Sequence, residues 1–270
     1  MGWWEKPKFN VRKMIFNFNL QLVEKYHNNS QKSRVLSEDW VLRNLYCPIC
    51  GKPHINRYAN NYPTGDFYCK DCASDFELKS KKSNSGKLSK TISDGEYSTM
   101  ISRITSLRNP NFFFMTYRNY AVDNLILIPN HFFTPQIIIK RNPLGPNARR
   151  TGWIGCNINI SSIPDFGKIF IIKNQVEIQH ETVISNYAKT KSLKTSNLDS
   201  RGWLLDILMC IEKIPSEYFT LNQMYSFEND LKLKHPDNNF VKDKIRQQLQ
   251  SLRDKGFIEF ITPGHYRKIT

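Results

Sequence analysis

The stretch CPICGKPHINRYANNYPTGDFYCKDCASDFELKSKK, residues 47–82, decides the fold of this chain. It holds four cysteines in two Cys-x-x-Cys pairs, at residues 47 and 50 and at residues 69 and 72. It also holds Asp66, which precedes Glu77 by eleven residues. Thiolates and carboxylates are common metal ligands, so metal binding is the first chemistry that this stretch indicates.

The four cysteines predict a structural zinc site. Eighteen residues separate Cys50 from Cys69, a spacing typical of zinc-ribbon sites. Cys47, Cys50, Cys69 and Cys72 would complete the tetrahedral shell of Zn²⁺ and leave no open position for catalysis. The alternative is thiol redox chemistry, which the second matched pair disfavours.

The acidic residues of the same stretch predict a hydrolytic metal site. In DFELK, residues 75–79, strand alternation places Asp75, Glu77 and Lys79 on one face. If Asp66 lies on an adjoining strand, it can share one Mg²⁺ with Glu77, with the backbone carbonyl of Leu78 as a third ligand. Lys79 would then lie beside the attacking water. The pattern Asp-x₁₀-Glu-x-Lys is weak by itself, and a solvated, charged strand face is the alternative.

The net charge of +15 indicates a polyanionic partner, with nucleic acid as the first candidate. Residues 1–180 hold 25 basic and 13 acidic residues, whereas residues 181–270 hold 14 and 11. The excess of positive charge is therefore concentrated before residue 181. A basic surface that only aids solubility is the alternative.

Nothing in the sequence indicates a membrane protein or a secreted one. There is no apolar run long enough to span a bilayer, and the first residues lack the apolar core of a signal peptide. We expect a cytoplasmic protein with no membrane contact, and no protein partner is evident. Cys156 and Cys210 lie in apolar surroundings and are predicted to be buried thiols.

Local patterns predict a mixed α/β domain followed by a smaller one. Helices are predicted at residues 37–45, with Ser37 as N-cap, and at 95–107. The apolar runs at 111–118, 124–129 and 168–174 predict buried strands. We expect an N-terminal extension at 1–13, a first domain at 14–182, a polar linker at 183–199 and a second domain at 200–270.

The second domain is predicted to be a winged helix, because three helical patterns precede a β-hairpin. Thr220 is the expected N-cap of the second helix, and Gly256 should end the third. That third helix, about residues 239–255, is the expected DNA-recognition helix. Its polar residues are the candidate DNA contacts, with a solvated helix face as the alternative: Asn238, Asn239, Lys242, Arg246, Gln247 and Gln250.

Several segments resemble the DpnI family of restriction endonucleases: CPICG, GDFYCKDCASDFELKSKK, NPNFFFMTY, ARRTGWIGCNI, TSNLDSRGW and IRQQLQSLRDK. The similarity runs from about residue 16 to residue 268. It implies an α/β (α+β) nuclease core of the PD-(D/E)XK type with an inserted four-cysteine zinc site, followed by a winged helix. By position, Asp66, Glu77 and Lys79 correspond to the family's catalytic set and the four cysteines to its zinc site. The wider superfamily has proline before the aspartate, where this chain has Gly65.

The same resemblance implies a bacterial type II enzyme that uses Mg²⁺ to cleave double-stranded DNA at GATC containing 6-methyladenine. Methyl groups in the major groove are recognised by apolar contact. Trp153 is our candidate methyl sensor, beside Arg149 and Arg150 as candidate DNA contacts. A Trp153 side chain that only fills the core is the alternative at this position. For the whole chain, the alternative is a non-cleaving methyl-DNA reader or transcriptional regulator.

Overall fold

The computed structural model of the protein describes residues 13–60, 62, 65–106, 109–195 and 197–269. The predicted N-terminal extension, 1–13, lies outside the described residues except for Lys13. The described chain divides into two compact units. The first contains residues of the segments 1–88, 113–126 and 170–184, and the second contains residues of 89–112, 127–169 and 185–270.

Helices and strands alternate along the described residues. The helices are α1 (Asn29–Asn44), α2 (Tyr97–Thr105), α3 (His180–Thr190), α4 (Leu198–Lys213), α5 (Leu221–Tyr225), α6 (Glu228–Lys234) and α7 (Val241–Asp254). The strands are β1 (Asn56–Arg57), β2 (Phe67–Tyr68), β3 (Asp75–Lys82), β4 (Thr91–Glu96), β5 (Asn111–Arg118), β6 (Ala121–Ile128), β7 (Ile138–Lys140), β8 (Gly155–Asn159), β9 (Ile169–Lys173), β10 (Val176–Glu177), β11 (Tyr218–Thr220), β12 (Ile258–Thr262) and β13 (His265–Lys268).

A seven-stranded sheet forms the body of the first unit, in the order β1-β2-β3-β5-β6-β9-β10. Strands β5 and β6 are buried along nearly their whole length, as their continuous apolar runs predict. Helix α1 packs on β3. Trp40 of α1 is fully buried and donates its indole N–H to the Ile15 carbonyl at 2.7 Å. Phe76 of β3 stacks on Phe113 of β5 with ring centroids 4.8 Å apart, which fixes the strand that carries Glu77.

Helix α1 begins at Asn29 and not at the predicted residue 37. Its N-cap is Asn28, whose side chain accepts hydrogen bonds from the backbone N–H groups of Ser30 and Gln31 at 2.8 and 3.2 Å. Ser37 is buried inside the helix, where its hydroxyl donates to the Ser33 carbonyl at 2.8 Å. The prediction of Ser37 as N-cap is wrong, because a serine can satisfy its hydroxyl within a helix in this way.

The segment 183–199, predicted as a polar linker, is largely helical. Helix α3 covers its first half, to Thr190, a 3₁₀ turn follows at Lys191–Leu193, and α4 begins at Leu198. Val183 and Thr190 are fully buried, so the polar composition of this segment belongs to the exposed side of a helix. The domain boundaries at 14–182 and 200–270 stay predictions, since the compact units are discontinuous in sequence.

A second sheet, in the order β4-β8-β7, lies in the second unit with α2 packed against its strands. Strand β8 pairs antiparallel with both β4 and β7. Helix α2 occupies most of the helix predicted at 95–107 and buries Met100 and Ile104. The loop from β7 to β8 carries Trp153 at the base of this hairpin.

The C-terminal part of the second unit is a helix-turn-helix domain with a small sheet, in the order β11-β13-β12. Thr220 caps α5 through a capping box with Gln223, and Gly256 follows α7 with a φ of 77°. The second predicted helix is divided into α5 and α6, and β11 adds a third strand to the predicted hairpin. The predicted α/β (α+β) fold followed by a small winged-helix domain is confirmed, as a mixed α/β core and a C-terminal helix-turn-helix domain.

Two further sequence expectations concern membranes and free thiols. Within the described ranges, no helix combines the length and the apolar character that a membrane crossing needs. Cys156 and Cys210 are buried, as predicted, and neither forms a disulfide bond among the described residues.

Candidate active site and zinc site

The four predicted zinc ligands converge in the first unit. All four sulfur atoms lie within 4.8 Å of one another. The Sγ atoms of Cys47 and Cys72 are 3.7 Å apart, and those of Cys50 and Cys69 are 3.6 Å apart. A tetrahedral Zn²⁺ with Zn–S bonds of about 2.3 Å separates its sulfurs by about 3.8 Å, so the cluster fits this ion. Burial raises the pKa of the Cys47 thiol, and four thiolates therefore need a cation to offset their charge.

Backbone hydrogen bonds shape each Cys-x-x-Cys pair. The Gly51 N–H donates to the Cys47 carbonyl at 2.8 Å, and Gly51 adopts a φ of 79°. In the second pair, the Cys69 N–H donates to the Ser74 carbonyl at 2.9 Å. Each turn therefore presents its two sulfur atoms on the same side.

Asp66 directly precedes β2 and is held against β3. Its N–H donates to the Phe76 carbonyl at 2.9 Å, and its carboxylate Oδ2 accepts from the Leu78 N–H at 2.8 Å. These two bonds reach both neighbours of Glu77. The predicted adjoining strand is thus present, and the Asp66 carboxylate lies beside the segment that carries Glu77. The Leu78 carbonyl as a metal ligand stays a prediction.

Gly65 explains why this chain lacks a proline before its aspartate. A Cβ atom at Gly65 would lie 2.7 Å from the Phe76 carbonyl oxygen and 3.2 Å from its carbon. Those are backbone atoms of β3, which cannot rotate away as a side chain can. Glycine is therefore the residue that lets Asp66 approach β3 this closely.

Glu77 and Lys79 form a close pair on β3. The Lys79 Nζ lies 2.5 Å from the Glu77 Oε1. Glu77 is buried, at 7% exposure, although most glutamates lie in solvent. The burial of Glu77 beside Lys79 argues against the alternative for this pattern, which was a solvated, charged strand face.

Glu38 of α1 is a third carboxylate near Asp66, and sequence analysis missed it as a site residue. Glu38 is buried, and its carboxylate pairs with Arg57 of β1 at 2.7 Å and with Arg34 at 3.7 Å. Burial raises the pKa of Glu38, the two arginines lower it, and the negative charge of Asp66 raises it. Asp66 is therefore within electrostatic reach of Glu38. No sequence pattern connects these residues, because only the tertiary fold brings them within this range.

Three tyrosines brace the backbone around Asp66. Tyr58 stacks on Tyr62 with ring centroids 4.1 Å apart and contacts Tyr68 at 4.4 Å. Its hydroxyl donates to the Asp75 Oδ1 at 2.8 Å, and its N–H donates to the Asp66 carbonyl at 2.9 Å. Tyr58 thus connects both strands that carry the candidate site.

The predicted methyl sensor, Trp153, lies in the second unit. Its N–H donates to the Arg150 carbonyl at 3.0 Å, and its carbonyl accepts from the Leu144 N–H at 2.9 Å. The indole lies over Gly155, where an added Cβ would meet two of its ring carbons at 2.8 Å. Trp153 is partly exposed, so it does not simply fill the core. Arg149 and Arg150 are exposed on the same loop.

The four predicted recognition residues on helix α7 are all exposed, but they differ in their side-chain contacts. Lys242, Arg246, Gln247 and Gln250 are exposed, opposite a buried face that includes Ile245 and Leu249. The Lys242 Nζ lies 3.3 Å from the Glu228 Oε2, and Arg246 donates to the Tyr225 hydroxyl at 2.6 Å. For the side chains of Gln247 and Gln250, the described part of the chain shows no hydrogen bond.

The side chains of the two predicted asparagines accept hydrogen bonds that stabilise the loop before α7. The Asn238 Oδ1 accepts from the Phe240 N–H at 2.8 Å, and the Asn239 Oδ1 accepts from the Lys232 Nζ at 3.0 Å. These side chains hold the start of the helix, and their role as DNA contacts stays a prediction.

Two carboxylates and a lysine on adjoining strands, on a chain that also carries a helix-turn-helix domain, are typical of one class of protein: nucleases that act on DNA. Comparison with known families narrows this class. Residues 14–196 match the family model described as the Dam-replacing family, DpnI, and residues 199–268 match the Dam-replacing HTH domain. The chain belongs to the DpnI, or Dam-replacing, family.

Proposed function

We propose that the protein is a type II, methylation-dependent restriction endonuclease. Its substrate would be double-stranded DNA with GATC sites that contain 6-methyladenine. Hydrolysis of each phosphodiester bond would leave a 5′-phosphate and a 3′-hydroxyl end. Family membership and the helix-turn-helix domain support action on DNA, while the choice of site and methyl group is part of the proposal.

One observation carries the proposal: the hydrogen bond from the Leu78 N–H to the Asp66 Oδ2 at 2.8 Å. It brings a carboxylate from before β2 to the strand on which Glu77 and Lys79 form their pair. A protein that only reads DNA has no need to bring these charged groups together, whereas a nuclease needs charged groups held in place around the reacting phosphate.

The donor set fits a hard divalent cation. Asp66 and Glu77 offer carboxylate oxygens, which Mg²⁺ prefers, and its remaining positions can be filled by water and a backbone carbonyl. When bound, Mg²⁺ would supply positive charge that offsets the negative charge developing on the phosphate. Zinc at the four cysteines would be structural, because four sulfur ligands complete its shell.

The residues of the chain divide the remaining work. Lys79 would orient the attacking water and stabilise the negative charge that develops as the water loses its proton. The Leu78 N–H fixes the rotamer of Asp66, so that its carboxylate needs no reorganisation during the reaction. Glu38, with Arg57 and Arg34, would act as a positioning group for Asp66 from the side of α1.

Methyl discrimination requires more than one contact. Burial of one methyl group stabilises a complex by about 0.8 kcal/mol, which is less than a tenfold preference. We therefore propose that the methyl groups also help to assemble the cleavage geometry. The partial exposure of Trp153, on the loop that also carries the exposed Arg149 and Arg150, supports such a role. The exposed face of α7 would contribute base or phosphate contacts.

Plasmid digestion tests the proposal. Plasmid from a host that methylates the adenine of GATC and plasmid without this methylation are incubated with the protein and Mg²⁺. Fragments should form only from methylated plasmid, and Glu77→Ala should abolish them. Glu24→Ala, which removes an exposed glutamate of the same unit, is the control and should cleave like the natural chain. Binding of methylated DNA without cleavage by the natural chain would favour the methyl-DNA reader.

A further inference from the structure

A polar cavity of about 180 Å³ lies within the second unit, at the end of α2 and the start of α4. Its walls include Arg201, Lys194, His131, Asn109 and Thr195. Two of these side chains are cations, and no acidic side chain lines the cavity among the described residues. The proposed nuclease function gives this cavity no role.

Arg201 carries a partly buried charge that no carboxylate offsets in the described part of the protein. One of its terminal nitrogens donates to the Thr195 carbonyl at 2.7 Å, and the other donates to the Phe133 carbonyl at 3.3 Å. Its Nε is buried without a hydrogen-bond partner within the described ranges. Burial lowers the pKa of Arg201, because desolvation disfavours its charged form.

Two neutral side chains in the cavity each have one polar atom without a partner among the described residues. The Nε2 of His131 and the Oδ1 of Asn109 are buried without a hydrogen bond among the described residues. His131 is 3% exposed and Asn109 is 8% exposed, so bulk water does not satisfy them. Burial, followed by the charges of Arg201 and Lys194, lowers the pKa of His131 to about 4. Buried polar atoms of this kind indicate a ligand or an ordered water.

We propose that this cavity binds a phosphate group. Arg201 and Lys194 would offset its negative charge, and the unpartnered Nε–H of Arg201 would donate a hydrogen bond to one of its oxygens. The Nε2 of His131 and the Oδ1 of Asn109 are acceptors, and they would reach the phosphate through an ordered water that donates to both sides. The N-terminus of the sixteen-residue helix α4 adds a favourable dipole at the same end of the cavity. The phosphate would come either from the DNA backbone or from a small phosphorylated molecule, and the volume suits one phosphate group rather than a whole nucleotide.

Calorimetric titration of the full chain with inorganic phosphate tests the cavity directly. Saturable binding at millimolar phosphate or below is expected for the natural chain. Lys194→Ala should weaken it about tenfold, since it removes one charged hydrogen bond. Lys191→Ala is the matched control, because Lys191 lies three residues away and faces the Tyr187 ring instead.

A charge-reversal pair provides a second test that spares the buried side chains. Thr195→Asp places a carboxylate in the cavity beside Arg201 and should abolish phosphate binding. Ser192→Asp makes the same charge change on the exposed turn and should leave binding unchanged. Far-ultraviolet circular dichroism confirms that each variant is folded.

Salt dependence of DNA binding, measured without Mg²⁺, identifies the source of the phosphate. If a backbone phosphate occupies the cavity, Lys194→Ala and Thr195→Asp lower the slope of log K against log salt by about 0.9 relative to their controls. If the slopes match the controls while phosphate binding is lost, a free phosphorylated molecule is the ligand. Absence of saturable phosphate binding by the natural chain, or equal binding by Thr195→Asp and Ser192→Asp, overturns the proposal. Neither result depends on DNA cleavage, so the endonuclease proposal is tested separately.

Discussion

Substitution of Gly65 by alanine adds one methyl group and should separate Asp66 from strand β3. The added methyl carbon would lie 2.7 Å from the Phe76 carbonyl oxygen and 3.7 Å from the Phe76 nitrogen. The first distance is shorter than real contacts of this type, and the second is ordinary. Because the clash is with backbone, either the 65–66 segment or β3 must move.

The size of this movement sets the expected loss of activity. An ordinary contact requires a separation of about 3.4 Å or more, so the two strands must part by more than half an ångström. The displaced groups include the hydrogen bonds of Asp66 to Phe76 and Leu78, at 2.9 and 2.8 Å. Overpacking of this kind costs about 1–3 kcal/mol of stability. A catalytic group misplaced by about 1 Å lowers the rate about 100-fold, and we expect a reduction of this order.

Single-turnover cleavage of a methylated duplex measures the effect, with zinc content and duplex affinity determined in parallel. Gly65→Ala should lose rate while it keeps its zinc and binds the duplex. Gly95→Ala is the control, because an added Cβ there meets nothing within 4 Å. A Gly65→Ala variant that cleaves as fast as Gly95→Ala would refute the placement of Asp66 against β3.

Three further perturbations have defined outcomes. Removal of zinc by a chelator, followed by addition of excess Mg²⁺, should abolish cleavage, since a structural zinc site contributes on the order of 10 kcal/mol to local folding. Full activity of the zinc-free protein would mean that the cleavage site does not depend on the zinc site. Trp153→Ala should leave the midpoint of unfolding nearly unchanged, because the side chain is partly exposed. The same variant should reduce cleavage or the discrimination between methylated and unmethylated DNA. Unchanged cleavage kinetics on both duplexes would exclude Trp153 as a methyl sensor. Glu38→Gln should lower the cleavage rate constant about tenfold, through its effect on Asp66, and should leave the duplex affinity unchanged. The control is Asp39→Asn, which removes the partner of Arg43 on the same helix and should not change the cleavage rate constant. Equal rate constants for the two variants would contradict a positioning role for Glu38.

Features with a local physical cause were predictable from the sequence. The buried strands β5 and β6 follow from continuous apolar runs, and the buried face of α7 follows from helical periodicity. The four cysteines converge because each Cys-x-x-Cys turn already presents its sulfurs on one side. Thr220 caps its helix as predicted because the capping box needs only residues three apart.

Features with a tertiary cause were not predictable in this way. The start of α1 at Asn29 was missed because its first two turns are polar and show no apolar face. Glu38 becomes a site residue only through the fold, which brings α1 and β1 together around its carboxylate. The division of the chain into discontinuous units likewise depends on which distant segments pack together.

The eleven-residue spacing of Asp66 and Glu77, weak as a pattern, acquires a physical reason from the zinc site. Strands β2 and β3 pair antiparallel with Phe67 opposite Phe76 and Tyr68 opposite Asp75, and Cys69 and Cys72 lie in the turn between them. A register shift by one residue would turn Glu77 to the other face of the sheet, away from Asp66. Zinc binding to two residues of this turn restricts such a shift, because both sulfurs must reach the same ion. The length of the zinc-binding turn therefore sets the strand register that holds Glu77 near Asp66. An insertion of one residue between Cys72 and Asp75 should separate the two carboxylates even if zinc still binds.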